Sequence, residues 1–261
     1  MSVDACAALV ARSDPNRFAA ALTAPLDIRA DLLTLYAFNL EVARAPYVTE
    51  EPMLAEMRLQ WWRDVLEETY SGAEIRRHEV TTPLGEMLRR RQLPRARLDA
   101  LIDARRRDIE RDPPASLEAL RAYLGASAGG LMVLATRITT PDLAEEGERT
   151  AFALGRASGT AQYLQALPDL IALNRSPLPH GGAQSQIKEL AEMALADLED
   201  ARKGRKALPK SARPALLTAA GAEMILKRAI QDPDAALEAR IALSESQIRA
   251  ARLWQGLTGR W

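Results

Sequence analysis

Apolar positions along this chain return at steps of three and four. Leu54, Met57, Trp61 and Val65 form one such stripe, and Leu98, Leu101, Ile102 and, across a wider gap, Ile109 form another. Leu190, Met193, Ala194 and Leu198 repeat the pattern, Leu217, Ala220 and Met224 begin a further stripe, and Ile241, Ser244 and Ile248 share a last face. That period belongs to helices that bury one side, because about 3.6 residues complete a turn. No run alternates apolar and polar as a half-buried strand does, and neither a glycine-rich nucleotide loop nor a repeat of fixed period is present.

The breaks between stripes carry helix-start chemistry. Asp14-Pro15 sets a capping carboxylate before a proline whose missing N–H costs nothing in a first turn. Glu51-Pro52, Thr82-Pro83 and Arg213-Pro214 also place proline where a helix can begin, and Ser116 is a further cap before Leu117 and Glu118. Leu173 to Gln186, rich in Pro, Gly, Asn and Ser, predicts a loop, and a basic stretch from Arg202 to Lys210 follows a helix ending near Asp200. The expected fold class is all-α, with one domain over residues 1–261 and two subdomains as the alternative.

Composition narrows the function classes. The 261 residues are 48% hydrophobic and 27% charged, enough for a core and too apolar for a disordered chain. Lys plus Arg equals Asp plus Glu at 35 each, so no net field draws the chain to nucleic acid or anionic lipid, and no nucleic acid is expected as a partner. One cysteine, Cys6, excludes an internal disulfide, and with only His78 and His180 a Cys/His zinc site is not expected. The N-terminus lacks the basic and apolar regions of a secretory signal. No stretch approaches the roughly 20 consecutive apolar residues that span a bilayer. The expected location is cytoplasmic, with peripheral contact at the inner face of the membrane left open.

Two segments carry a resemblance. The first holds Leu35-Tyr36-Ala37-Phe38-Asn39-Leu40-Glu41-Val42-Ala43-Arg44 and then Arg58-Leu59-Gln60-Trp61-Trp62-Arg63-Asp64. The second runs Leu154-Gly155-Arg156-Ala157-Ser158-Gly159-Thr160-Ala161-Gln162-Tyr163-Leu164-Gln165-Ala166-Leu167-Pro168. In order and separation they resemble the squalene/phytoene synthase family, over about residues 14 to 255. Within it they are similar to the divergent branch that includes mitochondrial complex I assembly factor 6 and bacterial relatives. The resemblance implies the all-α isoprenoid synthase fold, a helical bundle around a central apolar pocket. Active members of the family join two prenyl diphosphates head to head, using two aspartate-rich motifs that hold magnesium.

That chemistry can be tested on these residues. Magnesium takes oxygen ligands in near-octahedral geometry, and it neutralises the charge that develops on a departing diphosphate. The resemblance puts the first motif's carboxylates at Ala43, Arg44 and Tyr47, none of which is an acid, and Arg44 repels a cation. Pro46 predicts that the helix ends there, leaving Glu41 as the one nearby acid. Where the second motif should stand, Leu167-Pro168-Asp169-Leu170 keeps only Asp169, beside a proline expected to interrupt the helix. Both metal clamps therefore read as lost, and no cofactor is expected unless the enzyme reading holds, when it would be magnesium.

Other acids are weighed against a solvated surface, which is favoured for Asp64, Glu67 and Glu68, for the first-turn acids Glu145, Glu146 and Glu148, and for Asp197, Glu199 and Asp200. Trp61 and Trp62 point about 100° apart on a helix, so one can enter the core while the other meets a groove or partner. Trp254 and Trp261 read as packed or terminal residues, with anchoring at a membrane interface or partner as the other reading. The small-residue run Gly125 to Gly130, with Gly155 and Gly159, allows either close helix packing or room for a bound chain. The arginine runs 89–91 and 105–107 read as solvated faces, and both histidines as exposed. Pocket or ligand candidates are Tyr36, Phe38, Asn39, Glu41, Arg44, Trp61, Trp62, Gly129, Gly159, Gln162, Tyr163 and Asp169. The leading expectation is a non-catalytic member of the fold that assists assembly of respiratory complex I, with complex I subunits or assembly intermediates as partners. The alternatives are a prenyltransferase acting on isoprenyl diphosphates and a protein that binds an isoprenoid or lipid.

Overall fold

A computed structural model describes residues 3–261, and among them there is helix, turn and loop but no strand. The chain divides into two compact units, where the sequence reads as one domain with two subdomains as the alternative. The first unit runs through Glu110 and takes in Leu134–Asp142, and the second holds Arg111–Val133 and Leu143–Trp261.

The first unit contains α1 (Val3–Ser13), α2 (Pro15–Ala21), α3 (Leu26–Arg44), α4 (Pro52–Ser71), α5 (Thr81–Arg91) and α6 (Arg95–Ala104). The caps follow the sequence signals: Asp14 accepts a hydrogen bond from the Arg17 backbone N–H at 2.9 Å, and Pro52 opens α4. α3 is buried without interruption from Asp31 to Asn39, so it is a central helix of this unit. Its α-turns end at Arg44, and a 3₁₀ turn, Ala45–Tyr47, carries Pro46, which lacks the N–H to continue the ladder. The buried carboxylate of Asp31 is held by Arg90 and by Arg91, whose Nε lies 2.6 Å away. The basic run 89–91 is thus partly an internal clamp and not simply a solvated face.

The α4 stripe read from sequence is rotated. Leu54 and Met57 are 44% and 61% exposed, and the buried face is Ala55, Leu59, Trp62, Val65, Leu66 and Thr69. α4 carries apolar residues on two faces, and periodicity alone does not say which one meets the core.

The second unit contains α7 (Leu117–Leu124), a π turn (Gly125–Gly129), the part of α8 (Gly130–Thr139) before Leu134, and then α9 (Glu145–Ala172), α10 (Ala183–Lys203), α11 (Arg213–Leu216), α12 (Ala222–Gln231), α13 (Pro233–Leu237) and α14 (Glu245–Thr258). Ser116 caps α7 by accepting from the Ala119 N–H at 3.2 Å. The π turn joins α7 and α8 into one run, Leu117–Thr139, long and apolar enough by length and composition to cross a bilayer. In sequence it is broken by Glu118, Arg121 and the small residues Gly125 to Gly130, so it does not show as an unbroken apolar stretch. Its most apolar window is 67% buried inside the protein, the condition of a core helix.

Several boundaries differ from expectation. Pro168 does not interrupt α9, which runs on to Ala172; a proline near the last turn forfeits one backbone bond, and the packing of α9 outweighs that. The loop after it ends at Gly182, not Gln186, and α10 extends to Lys203. Leu217, Ala220 and Met224 are not one helical stripe: Gly221, at φ +85°, separates a 3₁₀ turn from α12. Ser244 is not on a helix face but at the N-cap of α14, in a reciprocal box with Gln247.

Candidate functional site

The end of α3, the turn after it and the first half of α4 enclose a groove of about 590 Å³ in the first unit. Its walls bring together four residues singled out by sequence: Glu41, Arg44, Trp61 and Trp62. Trp62 is 4% exposed and Trp61 is half-buried, so the adjacent tryptophans divide between core and groove. Their rings meet edge to face at 4.9 Å, and Phe38 supports Trp62 from below at 5.4 Å.

His78 completes the aromatic wall. Its ring lies 5.5 Å from Trp61 and 5.9 Å from Trp62, and its Nδ1 accepts from the Val80 N–H at 3.2 Å. Sequence reasoning treated this residue as an exposed histidine in a charged run, and no signal near it points to a tryptophan 17 residues earlier. The Arg76 guanidinium sits 5.5 Å from the Trp61 ring, so the exposed indole face carries a cation.

The charge of the groove is cationic. Glu41 is the acid in its lining, and Arg44, at 3.5 Å, is its ion-pair partner; Arg58 lines the same space. The neighbouring acids of α4 are engaged elsewhere. Gln60 donates to Asp64 at 2.9 Å, and Arg95 binds Glu67 at 2.7 Å. Glu68 pairs with Arg76, and those hydrogen bonds hold its carboxyl below the usual range. A magnesium ion asks for converging oxygen ligands, and this groove offers one carboxylate already facing an arginine. The residues do not fit the ion, and among the described residues no group of three or more His, Cys, Asp or Glu side chains is placed to hold a metal.

Tyr36 and Asn39 lie under this surface, not in it. Tyr36 is 2% exposed, its hydroxyl has no hydrogen-bond partner, and burial pushes its pKa up. The Arg17 guanidinium stands 5.8 Å from its ring. Asn39 is 8% exposed.

The remaining candidates belong to the second unit, where Gly129, Gly159 and Tyr163 are packed against neighbouring residues. A Cβ on Gly159 would meet the Ala128 Cβ at 2.2 Å, and one on Gly129 would meet the Phe152 ring at 3.0 Å. The small residues therefore bring α9 against the π turn, and the space beside them is filled by side chains. Tyr163 donates to the Pro177 carbonyl at 2.6 Å and its ring lies 6.5 Å from Tyr123. Gln162 is half-buried on α9, and Asp169 is exposed. A site missed by sequence is Asp197, read as a surface acid. It is 3% exposed and binds Arg156 Nε at 2.7 Å and Arg121 at 2.5 Å, a buried acid between two cations.

A family model described as squalene/phytoene synthase matches residues 10–247. The chain belongs to the squalene/phytoene synthase family. Among its relatives, the bovine (Bos taurus) NADH dehydrogenase (ubiquinone) complex I, assembly factor 6 is 26% identical over 249 residues, covering 88% of this chain and 74% of that protein. The Drosophila melanogaster homolog of that factor is 25% identical and covers 98% and 84%. The fold of this family member is shared with a squalene synthase, HpnC, from Alicyclobacillus acidocaldarius, at TM-score 0.75 and 22% identity over 88% of this chain and 93% of that one. A dehydrosqualene synthase solved with a ligand superposes at TM-score 0.76 and 14% identity, over 97% and 94%. These structural likenesses establish the all-α synthase fold that the family resemblance implied.

Proposed function

We propose that this squalene/phytoene synthase family member is not a prenyltransferase but an assembly factor for respiratory complex I, which binds subunits or assembly intermediates of that complex. The observation that carries the reading is the pairing of relatives named as complex I assembly factor 6, matched over most of the chain, with a groove whose one acid is ion-paired. Supporting it, the family resemblance puts the first metal-binding acids at Ala43, Arg44 and Tyr47, none of which is an acid, and leaves Asp169 as the one acid of the second set.

The groove suits protein recognition. Exposed Leu54 and Met57 rim an aromatic wall of Trp61, Trp62 and His78, beside Arg44 and Arg58. Trp, Met and Arg are the residue types enriched where proteins meet, and an apolar peptide segment carrying an acid matches both wall and charge. On this reading the protein works without magnesium, in the cytoplasm or against the inner face of the membrane where complex I is built.

The enzyme question is tested with purified protein, farnesyl or geranylgeranyl diphosphate and magnesium. No presqualene diphosphate, squalene or phytoene is expected above a protein-free control. Turnover to any of the three, abolished by a chelator, contradicts the proposal.

A further inference from the structure

In the second unit, α12 and α14 with the end of α10 enclose a groove of about 860 Å³. That volume is in the range of sites that bury a whole small ligand. Its floor and lips are apolar: Leu198, Ala219, Ala222 and Ala251, then the exposed Met224 and Trp254.

Two buried polar atoms beside this apolar space lack partners. Gln255 is 4% exposed; its Nε2 donates to the Leu216 carbonyl at 2.8 Å, which leaves Oε1 as an unpaired acceptor. Trp261 Nε1 is an unpaired donor, and Arg202 holds this residue in place by donating to its carbonyl at 2.7 Å. A buried polar group left unmatched is destabilising, so each atom favours a complementary group. A hydroxyl both donates and accepts, so its chemistry complements the acceptor and the donor alike.

The rim adds a charge requirement. Arg202, Arg205 and Arg260 line it against a single acid, Glu223, which is already bound by Arg202 and Lys227. An apolar trough, a hydroxyl-matching pair and a cationic rim describe one class of ligand. We infer that this groove binds a single-chain anionic lysophospholipid, its acyl tail between Met224 and Trp254, its glycerol hydroxyl at Gln255 and Trp261, and its phosphate at Arg205 and Arg260. This inference stands apart from the assembly reading and from the groove on α4.

The test is isothermal titration of the full chain with lysophosphatidylglycerol kept below its micelle-forming concentration. One-to-one saturable binding is expected. Met224→Glu, at an exposed lip, and the pair Arg205→Ala with Arg260→Ala should each weaken it about tenfold. Glycerol phosphate, without a tail, and monoacylglycerol, without a charge, should each bind weaker by a similar factor. A thermal melt of each ligand-free variant that matches the parent shows the fold is kept; if Met224→Glu melts early, the arginine pair carries the test. Absence of saturable binding, binding only to anionic vesicles, or undiminished binding by the arginine variant overturns the assignment.

Discussion

Arg44 faces Glu41 across one helical turn, nitrogen to oxygen at 3.5 Å, in the groove at the end of α3. With Arg44 three residues from Glu41, and Arg58 in the same lining, the wall attracts anions more than cations. The pair itself is a weak structural element, with the Arg44 side chain 56% exposed. Glu41→Gln should therefore change stability by less than about 0.5 kcal/mol, measured by urea denaturation. Addition of magnesium should leave the thermal midpoint of parent and variant alike unchanged; a magnesium-dependent rise in the parent would reveal a metal site.

Asp197 is a different case, because its carboxylate is buried between Arg121 and Arg156. Asp197→Ala leaves both guanidiniums facing a neutral void. Both arginines keep some access to water, so the expected loss is about 2–3 kcal/mol, below the full cost of an orphaned buried charge. A fall in the urea midpoint with the slope unchanged checks it.

Gly155 marks the contact of α9 with the π turn. A Cβ there would lie 2.5 Å from the Met132 Cβ and 2.8 Å from the Ala128 carbonyl oxygen. Backbone does not yield as a side-chain tip does. Gly155→Ala should destabilise by about 1–3 kcal/mol, despite the better helix propensity of alanine. Gly256→Ala on α14, where the new Cβ would lie 4.0 Å from Leu217 Cδ2, is the control and should be neutral or stabilising.

Cys6 supplies a pH dependence. Burial pushes its thiol from the ordinary 9.0 up to about 11, against a smaller opposing hydrogen bond from Thr34. The folded state holds this proton more tightly than the unfolded state. Its contribution to stability is therefore complete below pH 9 and is lost as pH rises toward about 11. A thiol reagent at pH 8 should leave native Cys6 unmodified and label it on unfolding. Rapid labelling of the native protein would show that the site is open.

The helical class was legible because proline and capping residues mark the starts: Asp14, Pro52 and Ser116 all act where the sequence places them. The site was half legible. Glu41 and Arg44 share a face of α3, and the short turn into α4 brings them beside Trp61 and Trp62. His78 arrives through an irregular segment with no period to read. Asp197 meets Arg121 and Arg156 from 76 and 41 residues away, and a buried acid has the same sequence signature as the exposed Asp200 three residues on. Pro168 misled for the opposite reason: a strong local breaker signal was overridden by the burial of α9.

The central claim concerns complex I. The most direct measurement is the amount and NADH-oxidising activity of assembled complex I on native gels in a host strain lacking this gene. The account predicts a clear loss of the assembled complex, restored by the parent chain and not by Met57→Glu with Trp61→Ala, which keep the buried face of α4 but alter the groove. Unchanged complex I activity and subunit levels in the deletion strain would contradict it.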